Sequence, residues 1–152
     1  MKRFLTVLVF IANVSFANSQ TINPKYDKSL ADSLGSNEYG MKAYVLVILK
    51  TGTAKIENKS LTDSLFRGHM DFIERMATEG KLVVAGPLQK NERLYRGIYI
   101  LNVQTIEEAQ KLLSSDPSIR NNVFGTELFV WYGSAALPLY LDDHKKIEKF
   151  KP

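Results

Sequence analysis

The sequence predicts a single α+β domain, a ferredoxin-like βαββαβ sandwich with an antiparallel sheet. The chain has 152 residues, of which 45% are apolar, enough for one domain with a real core. Two segments carry apolar residues at helical spacing behind a helix-start signal, and four short runs are rich in β-branched and aromatic residues. Their order is strand, helix, strand, strand, helix, strand, which suits the ferredoxin-like topology.

The first predicted strand, Tyr44 to Leu49, is apolar at every position instead of alternating. Such a run indicates a strand that is buried on both faces. A small sheet with helices on one side leaves its other face in water unless a second sheet covers it. We therefore expect a homodimer, in which a second copy of the chain supplies that cover.

The first helix of the domain is predicted to begin at Ser60, because Ser60 and Asp63 form a Ser-x-x-acid start signal, and to end at Gly80. Residues 81–85 follow as a short strand that is closed by Gly86-Pro87. The helix carries apolar residues at helical spacing, namely Leu61, Leu65, Phe66, Phe72, Ile73, Met76 and Ala77.

The second half of the domain repeats this pattern. A longer strand is predicted over residues 94–103, rich in Tyr, Ile and Leu. Thr105 and Glu108 form a second capping-box signal and open a helix that Asp116-Pro117 ends. Residues 123–132 then form the last strand.

The N-terminus has the layout of a secretory signal peptide. Two basic residues precede an apolar run over residues 4–12, and a small, polar region follows. The run falls short of the roughly 20 apolar residues that span a bilayer, so we expect a cleaved signal over residues 1–19 and no stable membrane insertion. Cleavage before Gln20 is favoured and cleavage after Ala17 is the alternative; a retained hydrophobic extension is the competing interpretation.

The remaining boundaries follow from composition. Residues 20–41 are polar and predict a linker with a loose helix around residues 29–34, the domain covers residues 42–133, and residues 134–152 form a C-terminal extension. The extension can fold over its own domain or over the partner subunit. We expect a periplasmic or secreted protein.

Charge and cysteine content exclude several functions. The net charge of +4 falls to +2 without the signal, which offers no case for nucleic-acid binding. The chain has no cysteine, so disulfides, thiolate metal sites and a thiol nucleophile are excluded.

Two residues are candidates for acid–base chemistry. His69 lies four residues after Leu65 and four before Ile73, so the predicted helix aims it inward, next to Gly68, a poor helix residue. A core histidine bonded to a backbone carbonyl explains the same spacing. Asp116 can cap a helical turn that begins at a proline, but it can also bond one ring nitrogen of His69 and leave the other as a base.

No other chemical motif stands out. His144 follows Asp142-Asp143, but adjacent residues seldom converge on one metal ion, and a solvated tail is the favoured interpretation. The sequence contains no Gly-rich phosphate loop, no Gly-x-Ser-x-Gly elbow and no His-Glu-x-x-His helix. We predict neither a cofactor nor a bound metal.

Several segments together resemble the YCII-related proteins. The resemblance runs from about Tyr44 to Tyr132 and implies a ferredoxin-like fold that pairs into a dimeric α+β barrel. It also implies a His-Asp pair at the mouth of a cleft, which falls on His69 and Asp116. The segments that carry it are GHMDFI at 68–73, EGKLVVAGPL at 79–88, EEA at 107–109 and SDP at 115–117.

These observations leave three functional hypotheses. The first is a small-molecule lyase, isomerase or hydrolase in which His69 moves a proton, Asp116 orients it and no redox cofactor takes part. The second is a non-catalytic, exported ligand-binding or accessory module in which the same pair only supports the cleft. The third is a purely structural dimer without a ligand, its cleft filled by side chains such as those of the 137–141 segment.

Overall fold

The computed structural model of the protein describes residues 22–150, so the predicted signal peptide at 1–19 lies outside the described residues. Four strands form one antiparallel sheet in the order β2-β3-β1-β4. The elements are α1 (Lys28–Leu34), β1 (Met41–Thr51), α2 (Lys59–Thr78), β2 (Leu82–Pro87), β3 (Tyr95–Leu101), α3 (Ile106–Leu113), α4 (Pro117–Arg120), β4 (Phe124–Ser134), a 3-10 helix (Leu137–Tyr140) and α5 (Leu141–Ile147).

The first helix of the domain begins earlier than predicted. Asn58, and not Ser60, caps α2 by accepting a hydrogen bond from the N–H of Leu61. Asp63 takes no part in a capping box, because its carboxylate pairs with Lys59 at 2.7 Å. The predicted end is confirmed, since Gly80 follows the helix with φ +67°, a conformation that suits glycine.

The inward stripe of α2 is narrower than the apolar spacing predicts. Its buried residues are Leu65, His69, Phe72 and Met76. Leu61 and Phe66 belong to the predicted stripe, yet both lie exposed at the surface. His69 belongs to this stripe, so the helix points a titratable side chain toward the sheet.

In the second half, the predicted capping box of α3 is confirmed. The Thr105 hydroxyl accepts a hydrogen bond from the Glu108 N–H, and the Glu108 carboxylate accepts one from the Thr105 N–H.

The predicted end of β2 is wrong. Gly86-Pro87 does not close β2 but continues it, with Pro87 opposite Gly97. Proline is tolerated there because β2 is an edge strand whose outward N–H needs no partner.

Only one face of the central strand is covered within the chain. Val45, Val47 and Leu49 are buried under the helices and form the core with residues such as Phe72. The opposite side, here called the open face, is apolar but partly exposed, so the predicted burial of β1 on both faces is not achieved by a single chain. By register, the open face comprises Leu46, Ile48, Ile98, Ile100, Phe129 and Trp131, with Tyr44 buried beside Trp131.

The C-terminal extension folds back onto the domain. The Tyr140 hydroxyl donates a hydrogen bond to the Val83 carbonyl of the edge strand β2. A groove of about 480 Å³ then runs between α2 and α5. Within residues 22–150, none of the helices is both long and apolar enough to cross a membrane.

Candidate functional site

The site is built around one buried contact between α2 and the start of α4. The Nδ1 atom of His69 lies 2.7 Å from Oδ2 of Asp116, although 47 positions separate the two residues. His69 is 5% exposed and Asp116 is fully buried. The structure therefore brings together the two residues that the sequence singled out, and their chemical role stays a prediction.

Asp116 serves two partners with its two oxygens. Oδ1 accepts a hydrogen bond of 2.8 Å from the N–H of Ser118, and Asp116 is thus the N-cap of α4, with Pro117 at the first helical position. Oδ2 faces His69. The Ser118 hydroxyl donates to the Leu65 carbonyl at 3.0 Å, which ties α4 to α2. The cap and the contact with histidine are therefore not alternatives, because a carboxylate can accept several bonds at once.

Gly68 owes its place in the helix to the close approach of α4. A Cβ atom at Gly68 would lie 2.8 Å from Cγ of Pro117, which is too close for any side chain. Glycine weakens a helix by about 1 kcal/mol relative to alanine. Here that cost lets the turn that carries Asp116 approach His69 on the next position of α2.

Tyr99 is the third polar member of the site, and the sequence analysis did not single it out. It projects from β3 on the helix side of the sheet, and its hydroxyl lies 3.2 Å from Nε2 and 3.5 Å from Nδ1 of His69. Burial, and the nearby Asp116 carboxylate, raise the pKa of Tyr99 well above its ordinary value. The phenol therefore stays protonated at neutral pH. The signal that could have found it is an inward tyrosine, whose hydroxyl usually needs a partner when it is buried.

The position of the Tyr99 hydroxyl leaves the lone pair of His69 Nε2 available to accept a proton. An oxygen on the in-plane lone pair of Nε2 would be much farther from Nδ1 than from Nε2, whereas this oxygen is nearly equidistant from both. It lies against the ring between the two nitrogens and not along either lone pair. When Nδ1–H donates to Asp116, the Nε2 lone pair can accept a proton from another group, as a general base must.

Aromatic rings surround the imidazole. The Phe124 ring of β4 lies 4.9 Å from the His69 ring, centroid to centroid, and the Phe66 and Tyr99 rings lie at 6.1 Å. All three pairs are tilted, which is a common arrangement for aromatic contacts.

The other candidate stays apart from this site. His144 lies on the exposed α5 and lines the groove between α2 and α5, which includes neither His69 nor Asp116. Among residues 22–150, no cluster of three or more His, Cys, Asp or Glu side chains could hold a metal ion.

Comparison with known families decides to which family the chain belongs. A YCII-related domain matches residues 43–131, more than half of the chain, and this region contains His69, Tyr99 and Asp116. The chain belongs to the YCII-related family. Its mixed architecture with a four-stranded antiparallel sheet confirms the ferredoxin-like fold predicted from the sequence.

The YCII-related chain is also similar to a solved structure. This is 5-chloro-2-hydroxyhydroquinone dehydrochlorinase from Burkholderia phenoliruptrix AC1100, in complex with 2,5-dihydroxybenzoquinone. The identity is 15% and the TM-score 0.42, and the match covers 57% of this chain and 92% of that one. No curated protein matches the YCII-related chain in sequence.

Proposed function

We propose that the protein is an exported small-molecule enzyme in which His69 accepts or relays a proton and Asp116 orients the imidazole. The reaction is an elimination, an isomerisation or a hydrolysis that needs no redox cofactor. The observation that carries the proposal is the buried contact of 2.7 Å between Nδ1 of His69 and Oδ2 of Asp116. A carboxylate in this place selects the tautomer whose other nitrogen is a base.

The magnitude of acid–base catalysis limits the substrate. A positioned acid–base group accelerates a reaction by typically about 10²–10⁴-fold. Such a factor suffices for a substrate that is already activated, for example one with an acidic hydrogen next to a conjugated system. Tyr99 cannot supply a second base at neutral pH, because its pKa is raised by burial. His69 is therefore the residue that we expect to move the proton.

A second candidate function is a non-catalytic ligand-binding or accessory module. The observation that favours it is the closure of the site, since His69 is only 5% exposed and the Tyr99 hydroxyl already rests against its ring. In that case the His-Asp pair would only hold α4 against α2.

A ligand screen distinguishes the two candidates. We expect some small organic acids or phenols to raise the melting temperature of the chain expressed from Gln20 onward, because a ligand that binds only the folded form stabilises it by mass action. His69→Ala should abolish this rise, and turnover of the same compounds should be lost with it. His144→Ala is the matched control and should leave both intact. Binding without turnover would favour the accessory module, and no binding at all would contradict both.

We further propose that two copies pair through the open face of the sheet. Leu46, Ile48, Ile98 and Ile100 form its apolar centre, which is partly exposed in one chain. Apolar surface that leaves water contributes about 25 cal/mol per Å². A second copy presents the same apolar face, so the two surfaces match each other in chemical character.

Two neighbouring residues of β4 provide a test of the dimer. Phe129 and Val130 are nearly equally exposed, at 49% and 50%, but they lie on opposite faces of the sheet, and only Phe129 belongs to the open face. Phe129→Glu should weaken association at least about tenfold, because the interface would bury an unpaired carboxylate. Val130→Glu should leave the molar mass in light scattering unchanged.

The sole tryptophan, Trp131, also lies on the open face, and its fluorescence should shift to longer wavelength when the dimer dissociates. A monomeric wild type would refute this proposal.

We propose export from the N-terminal sequence pattern alone. Sequencing the N-terminus of the protein recovered from the cell envelope or medium of its source should find Gln20 or, on the alternative cleavage, Asn18. Recovery of the chain beginning with Met1 would contradict export by a cleaved signal.

A further inference from the structure

The groove between α2 and α5 has one wall outside the YCII-related domain. α2 forms the first wall, and α5 with the two residues that follow it forms the second, beyond residues 43–131. The groove holds about 480 Å³. Small-molecule sites typically measure about 300–1,000 Å³. Neither His69 nor Asp116 lines the groove, so it is a separate candidate site.

Apolar side chains form the floor of this groove. Met70, Ile73 and Ala77 of α2 and Leu141 of α5 line it and are half-buried, whereas its charged lining residues are all exposed. Covering apolar surface that is still in contact with water is favourable in proportion to the area covered. A ligand therefore gains affinity from an apolar body that lies along the floor.

The two walls of the groove carry opposite charges. The charged lining residues of α2 are both acidic, Asp71 and Glu74, whereas the second wall contributes Lys145 and Lys149 beside one acid, Glu148. Asp71 and Lys145 take part in none of the ion pairs formed within residues 22–150. Each wall thus presents a charge that the described part of the chain leaves without an ionic partner.

The second wall is fixed to the domain at the start of α5. The Tyr140 hydroxyl donates a hydrogen bond to the Val83 carbonyl, and the His144 ring lies edge-on to the Tyr140 ring, 6.3 Å away between centroids. Only a short turn separates the end of α2 at Thr78 from β2 at Leu82, so this bond holds α5 beside α2. Because both walls are held in place, a ligand does not have to order them when it binds.

From these contacts we infer that the groove binds a short zwitterionic peptide with apolar side chains. Its ammonium group faces Asp71 on the acidic wall, its carboxylate faces Lys145 on the basic wall, and its side chains cover the floor. A peptide carries its two charges at opposite ends of an apolar body, as walls of opposite charge require. A cation or an anion of the same size leaves one wall without a partner. The inference goes beyond the proposed function and does not depend on it.

The dipeptide leucyl-leucine and its two capped forms are matched probes. N-acetyl-leucyl-leucine lacks the positive charge and leucyl-leucine amide lacks the negative one, while both keep the apolar body. The purified protein is titrated with each probe at pH 7, and the imidazole signals of its two histidines are followed by NMR. His144 lines the groove and should respond, and His69 is the internal reference. We expect each capped form to bind about two- to fivefold more weakly than leucyl-leucine, the usual effect of one exposed ion pair.

Three variants assign the two charges. Lys145→Gln should weaken leucyl-leucine about two- to fivefold and leave the amide unchanged, because the amide has no carboxylate to lose a partner. Asp71→Asn should weaken leucyl-leucine by a similar factor and leave the acetylated form unchanged. Lys146→Gln is the matched control, since Lys146 lies on α5 but pairs with Asp143 and does not line the groove. All three positions are exposed, so the melting temperatures should equal that of the wild type.

Equal affinities for the three probes would overturn the selection for a zwitterion. An equal loss for leucyl-leucine and its amide in Lys145→Gln would overturn the placement of the carboxylate. If the His144 signals do not move, or if only those of His69 move, the groove is not the site and the inference fails. The proposed function is untouched by each of these results, because its test depends on His69→Ala.

Discussion

Asp116→Ala should destabilise the domain by about 2–6 kcal/mol, because two buried donors lose their acceptor and each unsatisfied buried polar group costs about 1–3 kcal/mol. The substitution deletes both bonds of the carboxylate at once. The N–H of Ser118 loses its cap, and the buried Nδ1 of His69 loses its partner. Neither group can turn to solvent, because His69 is 5% exposed and Ser118 is buried. Urea unfolding of the wild type and the variant, followed by circular dichroism, measures the difference.

Asp116→Asn separates the two bonds. Its side-chain oxygen can still accept from Ser118, so the cap should persist, and the expected loss is about 1–2 kcal/mol from the weaker contact with His69. Asp142→Ala, at an exposed carboxylate in the first turn of α5, is the control and should unfold like the wild type. Asp116→Ala with wild-type stability would show that the pair contributes nothing to the fold.

Gly52→Ala should destabilise the domain by about 3 kcal/mol through overpacking. A Cβ atom at Gly52 would overlap the carbonyl oxygen of Asn122 and would lie 2.7 Å from its carbonyl carbon and 2.9 Å from that of Val123. All of these atoms belong to the backbone, which cannot rotate away as a side chain can. The N–H of Gly52 also donates to the Val123 carbonyl at 2.9 Å, so the two segments are held together.

The backbone displacement that Gly52→Ala causes should also disturb the candidate site. Residues 121–123 join α4 to β4, and displacement of this segment would move the turn that Asp116 caps. We therefore expect Gly52→Ala to weaken ligand binding in addition to stability. Gly86→Ala is the matched control, because a Cβ atom at Gly86 meets nothing within 4 Å, and its melting temperature should equal or slightly exceed that of the wild type. Equal melting temperatures for the two variants would contradict the close approach at Gly52.

The order of the elements could be predicted because each is encoded locally. The capping box at Thr105 and Glu108 depends on four consecutive residues, and the structure has it as predicted. The start of α2 could not be predicted in the same way, since Asn58 and Ser60 both suit an N-cap. Asn58 caps the helix in the structure, and Asp63, the acid of the predicted signal, bonds Lys59 instead.

The candidate site was predictable only in part. His69 was found because helical spacing tells which side chains point inward, and Asp116 because proline after an acid is a helix-start signal. Tyr99 was missed, because an inward tyrosine on a strand looks the same in the sequence whether it meets a leucine or a histidine. Phe66 was placed in the buried stripe, although it is exposed.

From the sequence alone we predicted the class of the domain, the order of its strands and helices, the inward direction of His69 and Asp116 as a candidate cap of a helical turn. These properties depend on residues within one or two turns of each other, where backbone geometry limits the possible arrangements. The tertiary structure alone decided that Asp116 meets His69 at 2.7 Å, that Gly68 makes room for Pro117, and that the Tyr99 hydroxyl lies against the imidazole. Such contacts join residues 30 to 49 positions apart, and their geometry depends on how α2, α4 and the sheet pack together.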